Sequence, residues 1–200
     1  PAKKAGVPVV LIDRAFRDEE FDCVEIDNRT AAFRAVNELL QHNHRRIALV
    51  VSDVEYTGLE RAKGYKDAMT QAGIDPSEWY LMQGRHSFEL GYESMKRLLE
   101  MPQSPTAVIL GNYDTTLGGV MALNESGLGC PEDISIVGFD DLLMSKVIRP
   151  KLWLVVQPMK MMCEKAVEML LDRINNQGEC DAVRMSFSAK IREGNSIRKI

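Results

Sequence analysis

Short β-branched runs alternate with stretches of helical periodicity along most of this chain. VPVVLID (7–13) and CVEI (23–26) predict strands, and RTAAFRAVNELLQ, which follows, places Ala32, Val36, Leu39 and Leu40 at helical spacing. RIALVVS (46–52) predicts the next strand. A helix over about 59–72 sets Leu59, Ala62, Tyr65 and Met69 on one face, with Gly73 positioned to end it. WYLMQ, a helix over about 87–100, PTAVIL, a helix over about 115–126 and ISIVGFD then supply three more strands joined by two helices. Continuous hydrophobic strands alternating with amphipathic helices imply an α/β protein, with parallel sheets covered on both faces and right-handed crossovers. The last fifty residues change character. RPKLWLVVQP (149–158) predicts a strand bounded by prolines, a long helix over about 159–176 follows directly, and AVRMSFSAKI predicts a final strand pair with Val183, Met185 and Phe187 on one face. Such an ending suits a chain that returns to an earlier lobe and then crosses back.

Composition narrows the function classes. With 200 residues, 45% of them hydrophobic, the chain can build one large domain or two small lobes with real cores. Its formal charge of -4 offers no basic face to a phosphate backbone, and no block of Lys or Arg exceeds a pair such as Arg45 and Arg46, so this segment alone is not expected to bind nucleic acid. No apolar run reaches the roughly 18 residues of a membrane span, and PAKKAGVPVVLID meets a carboxylate too soon for a signal peptide. Cys23, Cys130, Cys163 and Cys180 lack C-x-x-C spacing and stand in apolar or turn contexts, as expected of reduced thiols in a cytosolic chain rather than of a zinc site. The chain opens on Pro1 just before a strand, without an initiator methionine, and is expected to be part of a longer protein.

In open parallel sheets the ligand crevice lies outside the carboxyl ends of the strands, so candidate chemistry is sought in the loops that follow them. Asp13 and Arg14 follow VVLI, a stretch ending in Arg61 follows IALVVS, Asn112, Tyr113 and Asp114 follow AVIL, and Asp140 with Asp141 follow SIVGF. Carboxylates accepting from hydroxyls, opposite a guanidinium donating a bidentate pair, suit a neutral, hydroxyl-rich ligand such as a sugar or related polyol. Asp140 and Asp141 lack the partner that a catalytic reading requires. There is no Ser or Cys nucleophile beside a base, no G-x-S-x-G and no glycine-rich phosphate loop, so neither an enzyme nor a bound cofactor is expected. HNHRR (42–46) falls at a helix-to-strand turn and is read as structural rather than as a metal pair. Met159, Met161, Met162 and Met169 lie on the long helix and are read as packing residues, either within a lobe or at an interface with a second copy of the chain.

PEDISIVGFDD, with Val137, Gly138, Phe139, Asp140 and Asp141, resembles the signature of the LacI/GalR family of bacterial transcription regulators. VPVVLIDR, VEIDNRTAAFRAVNELLQHNHRRIALV, ERAKGYKDAM, PTAVILGNYDTTLGGVMALNESG and RPKLWLVVQPM resemble further family segments, in family order, and cover nearly the whole chain. The resemblance implies a periplasmic-binding-protein-like core of type I: two α/β lobes joined by three crossovers, with an effector between them. It begins part-way into that core, without the helix-turn-helix head or the first strands of the N-terminal lobe. Residues 1–27 and 157–181 would then form a partial N-terminal lobe, and 28–156 with 182–200 a C-terminal lobe.

Site residues carry over from the resemblance one at a time. Arg61, three residues before Gly64, matches the family's effector-binding arginine, and Asp140 matches the acid that accepts from ligand hydroxyls, with Gly138 and Phe139 shaping the turn and Asp141 cast as a cap or turn acid. Asp13 follows a strand of the N-terminal lobe at a ligand position. His86, five residues before Gly91, stands where relatives place an aromatic that stacks on the ligand. Tyr113 replaces the first member of the family's Asn-Asp pair and could supply that stacking face. Gln157 matches a residue near the lobe crossover, and Trp153 with Leu154 replaces Thr-Thr, the indole being read as core. The function implied is that of the effector-binding and dimerisation core of a cytoplasmic repressor. Its partners would be a small sugar-like effector, a second copy of the chain, and operator DNA reached through a head outside this chain. A periplasmic sugar-binding protein feeding a transporter is the alternative. The upstream sequence separates the two: a basic helix-turn-helix in one case, a signal peptide in the other.

Overall fold

The computed structural model describes residues 6–14, 21–75, 80–141, 146–176 and 181–200. Strands β1 (Val10–Ile12) and β2 (Asp22–Ile26) open the chain and α1 (Asn28–Gln41) follows. Then come β3 (Ile47–Ser52), α2 (Tyr56–Gln71), β4 (Leu81–Gly84), α3 (Phe88–Leu99), β5 (Ala107–Leu110), α4 (Tyr113–Ser126) and β6 (Ser135–Phe139). The return segment supplies β7 (Trp153–Val156), α5 (Met159–Asn175), β8 (Arg184–Phe187) and β9 (Lys190–Arg192). The chain forms two compact units, one of residues 1–27 and 157–189, the other of 28–156 and 190–200.

The larger unit is built on a six-stranded sheet in the order β4-β3-β5-β6-β7-β9. Its strands run parallel except where β9 meets β7. β3 and β5 are buried along their whole length, which is why they read as continuous apolar runs rather than alternating ones. Alternation sorts their side chains: Ala48, Val50, Val108 and Leu110 pack with Met95 and Leu98 of α3 and Ala122 and Leu123 of α4. Ile47, Leu49 and Ile109 face the other way, toward the side on which α1 and α2 pack, where the Tyr65 hydroxyl donates to the Ile47 carbonyl at 2.7 Å. Glycine sets the spacing of both helix pairs. A Cβ on Gly64 would lie 2.0 Å from the Arg29 carbonyl oxygen of α1, and one on Gly118 would lie 2.0 Å from that of Phe88 in α3. The end of the chain is woven into this unit: the Ser196 hydroxyl donates to the Ile136 carbonyl and accepts from the Trp153 N–H, and the Ile200 N–H donates to the His42 carbonyl.

The smaller unit holds a three-stranded parallel sheet, β1-β2-β8. α5 packs on β1 and β2 and buries Met162, Ala166 and Met169. Asp22, at the start of β2, accepts a bidentate pair from Arg173 of α5 at 2.7 and 2.8 Å and a further bond from the Val183 N–H. These bonds hold its carboxyl below the usual carboxylate range.

Two expectations are corrected by the structure. β8 and β9 are not a strand pair: β8 lies parallel to β2 in the smaller sheet, whereas β9 is antiparallel to β7 in the larger one. Residues 182–189 accordingly belong to the smaller unit rather than to the larger one. The helix methionines divide: Met162 and Met169 are core, whereas Met159 and Met161 are 47% and 56% exposed in the single chain. Trp153 is buried, with the His42 ring edge-on at 5.6 Å, and Cys180 lies outside the described residues.

Candidate functional site

Parallel pairing carries the ends of β3, β4, β5, β6 and β7 to one edge of the larger sheet, and most of the candidate residues gather there. Arg61, in the second turn of α2, is only 2% exposed. A buried guanidinium is costly unless its donors are satisfied. Here Nε donates to Asn28 Oδ1 at 2.8 Å, Nη1 donates to the Gly111 carbonyl just past β5, and the guanidinium carbon lies 4.2 Å from the centroid of the Phe139 ring. Three elements thus fix one planar, positively charged group: the first residue of α1, the end of β5 and the end of β6.

Asp140 follows β6 directly. Its φ of +72° is a left-handed conformation, and its N–H is tied to the Val155 carbonyl of β7 at 2.9 Å. Aspartate tolerates this region better than most residues. The turn therefore rests on Asp140 itself, whereas Gly138 is spaced for packing, since a Cβ there would meet Leu154 at 2.9 Å, and Phe139 serves as the floor under Arg61. Asp141 has a different part from the cap or turn acid expected of it: both its oxygens accept from Arg192 of β9. Asn112 is committed to the start of α4, where its side chain accepts from the Thr115 N–H while the Thr115 hydroxyl accepts from the Asn112 N–H. Tyr113 is the first helical residue after this cap, half-buried. His86 follows β4, with a side chain only 5% exposed and Nδ1 3.9 Å from Glu55 Oε2, a residue of the β3–α2 loop.

The remaining two candidates stand in the smaller unit. Asp13 follows β1 with a φ of +66° and donates its N–H to the Val24 carbonyl at 2.8 Å, and Gln157 follows β7 and is buried. Two strand-end acids, Asp13 and Asp140, share this unusual backbone conformation. Among the described residues no group of three or more His, Cys, Asp or Glu side chains could hold a metal ion. His44, from the HNHRR turn, is buried between the Thr106 hydroxyl at 2.9 Å and the Arg198 carbonyl at 3.0 Å. Burial lowers its pKa below the ordinary histidine value.

Sequence reasoning singled out Arg61 and Asp140 as candidates but missed Asn28, Gly111 and Phe139 as the partners that hold the arginine. The one available signal was position: Gly111 and Phe139 end strands of the same sheet, and Asn28 opens the helix after β2.

Parallel α/β units with polar side chains collected at strand ends are the architecture of two-lobed binding domains. Residues 36–197 match the family model of the periplasmic binding protein-like domain, and the chain belongs to that family. It is 34% identical to catabolite control protein A of Priestia megaterium over 177 residues, which is 88% of this chain and 53% of that protein. It is 35% identical to the HTH-type transcriptional repressor CytR of Escherichia coli (strain K12) over 171 residues, 85% of this chain and 50% of the repressor. The crystal structure of a LacI family transcriptional regulator from Enterococcus faecium with bound ribose superposes with a TM-score of 0.88 at 27% identity, covering 100% of this chain and 74% of that one. The chain therefore spans about half the length of the curated relatives it matches. No helix among the described residues is long and apolar enough to cross a membrane.

Proposed function

We propose that this chain is the effector-binding and dimerisation core of a LacI-type transcriptional regulator, a binding protein rather than an enzyme, working in the cytoplasm. Its ligand is a small, hydroxyl-rich molecule of the sugar or polyol class. Arg61 donates to two ligand oxygens and Asp140 accepts from ligand hydroxyls, with His86, Tyr113, Asp13 and Gln157 completing the contacts. The observation that carries this reading is the fixed guanidinium of Arg61, held in plane by Asn28, Gly111 and Phe139. A group preorganised in this way loses little further freedom when it binds, which is where affinity for a small polar ligand is gained. The relatives named as a repressor and as a ribose-bound regulator favour this reading over a periplasmic carrier. Operator DNA would be reached through a head outside this chain, and effector binding would shift operator affinity by linkage, typically about 1–3 kcal/mol.

A thermal-shift screen with D-ribose, other pentoses and hexoses, and purines tests the site. A ligand at about 100 times its Kd stabilises the folded protein by about 2.7 kcal/mol. That increment is expected in the wild type and lost in Arg61→Gln and Asp140→Asn, the latter chosen because asparagine accepts a positive φ. An equal increment in all three proteins would remove these residues from the site.

A further inference from the structure

Adjacent residues at the first crossover are anchored in different units. The Asp27 N–H donates to the Phe187 carbonyl at 3.0 Å, extending the β2–β8 ladder of the smaller unit. Asn28, the next residue and the first of the larger unit, accepts from Arg61 Nε at 2.8 Å. The residue is 2% exposed. The other two supports of the guanidinium, Gly111 and Phe139, lie deep within the larger unit, so Asn28 is the support that immediately follows a crossover.

We propose that Asn28 is a positioning residue that ties the guanidinium of Arg61 to the backbone of the crossover. The inference rests on the reading of Arg61 as the ligand-binding arginine. A carboxamide has only two side-chain torsions, so its oxygen follows the backbone from which it projects. A change in the torsions between Asp27, which is fixed to β8, and Asn28 displaces the acceptor that sets the Arg61 plane. Conversely, a ligand that holds Arg61 in one plane favours the crossover conformation compatible with it, and linkage requires the effect to be reciprocal. Asn28 thereby serves two ends, presenting the arginine and reporting its state to the chain that joins the units.

The test uses the full chain with Asn28→Ala and Asn28→Asp, the latter keeping an oxygen acceptor. Side-chain Nε–Hε exchange of Arg61, followed by 15N-edited NMR, reads the bond without any ligand. Exchange is expected to be at least about tenfold faster in Asn28→Ala and to stay slow in Asn28→Asp. A merely structural role for Asn28 would lower the melting temperature but leave this exchange unchanged, and unchanged exchange in Asn28→Ala overturns the proposal. Titration with D-ribose adds a second arm: Asn28→Ala should weaken binding about tenfold, and Asn28→Asp, which keeps the acceptor oxygen, should not. Equal weakening in the two variants also overturns the proposal. If Arg61→Gln binds D-ribose as tightly as wild type, the effector-site reading fails, and the exchange result still decides whether Asn28 positions the arginine.

Discussion

Arg61 and His44 are both buried polar side chains, yet their environments ask opposite things of charge. Arg61 stays cationic at any accessible pH and is met by a carboxamide oxygen, a carbonyl and an aromatic face. His44 is held neutral, its ring nitrogens engaged with a hydroxyl and a carbonyl. Because burial lowers its folded-state pKa, the unfolded chain takes up the proton first as the pH falls through about 6.5, and the folded chain does not. Stability should therefore drop by up to about 1.4 kcal/mol per pH unit below that point. Urea midpoints measured from about pH 7.5 to about pH 5.5 check this, with a flatter dependence expected in His44→Gln. At the smaller unit the comparable residue is Asp22. Arg173→Ala leaves its carboxylate buried without its bidentate partner, at an expected cost of about 2–4 kcal/mol read by chemical denaturation. Legibility at this scale followed sequence distance. Arg61 and Asp140 could be named as candidates because strand ends and the resemblance marked them, but Asn28 and Gly111 meet Arg61 from thirty-three and fifty residues away, and no local pattern encodes such a meeting.

The alternating elements at the centre of the larger sheet were legible because β3, β5, β6 and β7 are nearly continuous apolar runs between amphipathic helices. β8 and β9 were not. Both are short and half-exposed, and their closeness in sequence suggests a hairpin that the register refutes, since each pairs with a distant strand. The glycines of the helix pairs were visible, but their purpose was not. Gly118→Ala would drive a methyl into the Phe88 carbonyl, and Gly64→Ala into that of Arg29. Overpacking of this kind is expected to cost about 1–3 kcal/mol despite the gain in helix propensity, measurable as a lowered denaturation midpoint. At Gly73, by contrast, nothing crowds the position, and its φ of +68° is what an added side chain would strain.

Across the whole molecule, stability should be unevenly distributed. β3, β5 and β6 are wholly buried, whereas β8, at one edge of a three-stranded sheet, alternates between exposed and half-buried residues. Native-state hydrogen exchange is expected to show the slowest amides in the first group and markedly faster exchange in β8. The division into two units followed from the hydrophobic pattern only in part: the return of the chain was apparent in the strand bounded by prolines, but the third switch, after Ala189, carries no composition change to announce it. The order in which the units are threaded also matters during synthesis. The larger unit begins before α5 and β8 are made and is finished after them, by β9 and by the final residues that hold Ser196 against Trp153 and Ile136 and fasten Ile200 to His42. A ribosome that has reached Phe187 has thus released no finished copy of the main sheet. The β7 edge stays open until residues 190–200 emerge.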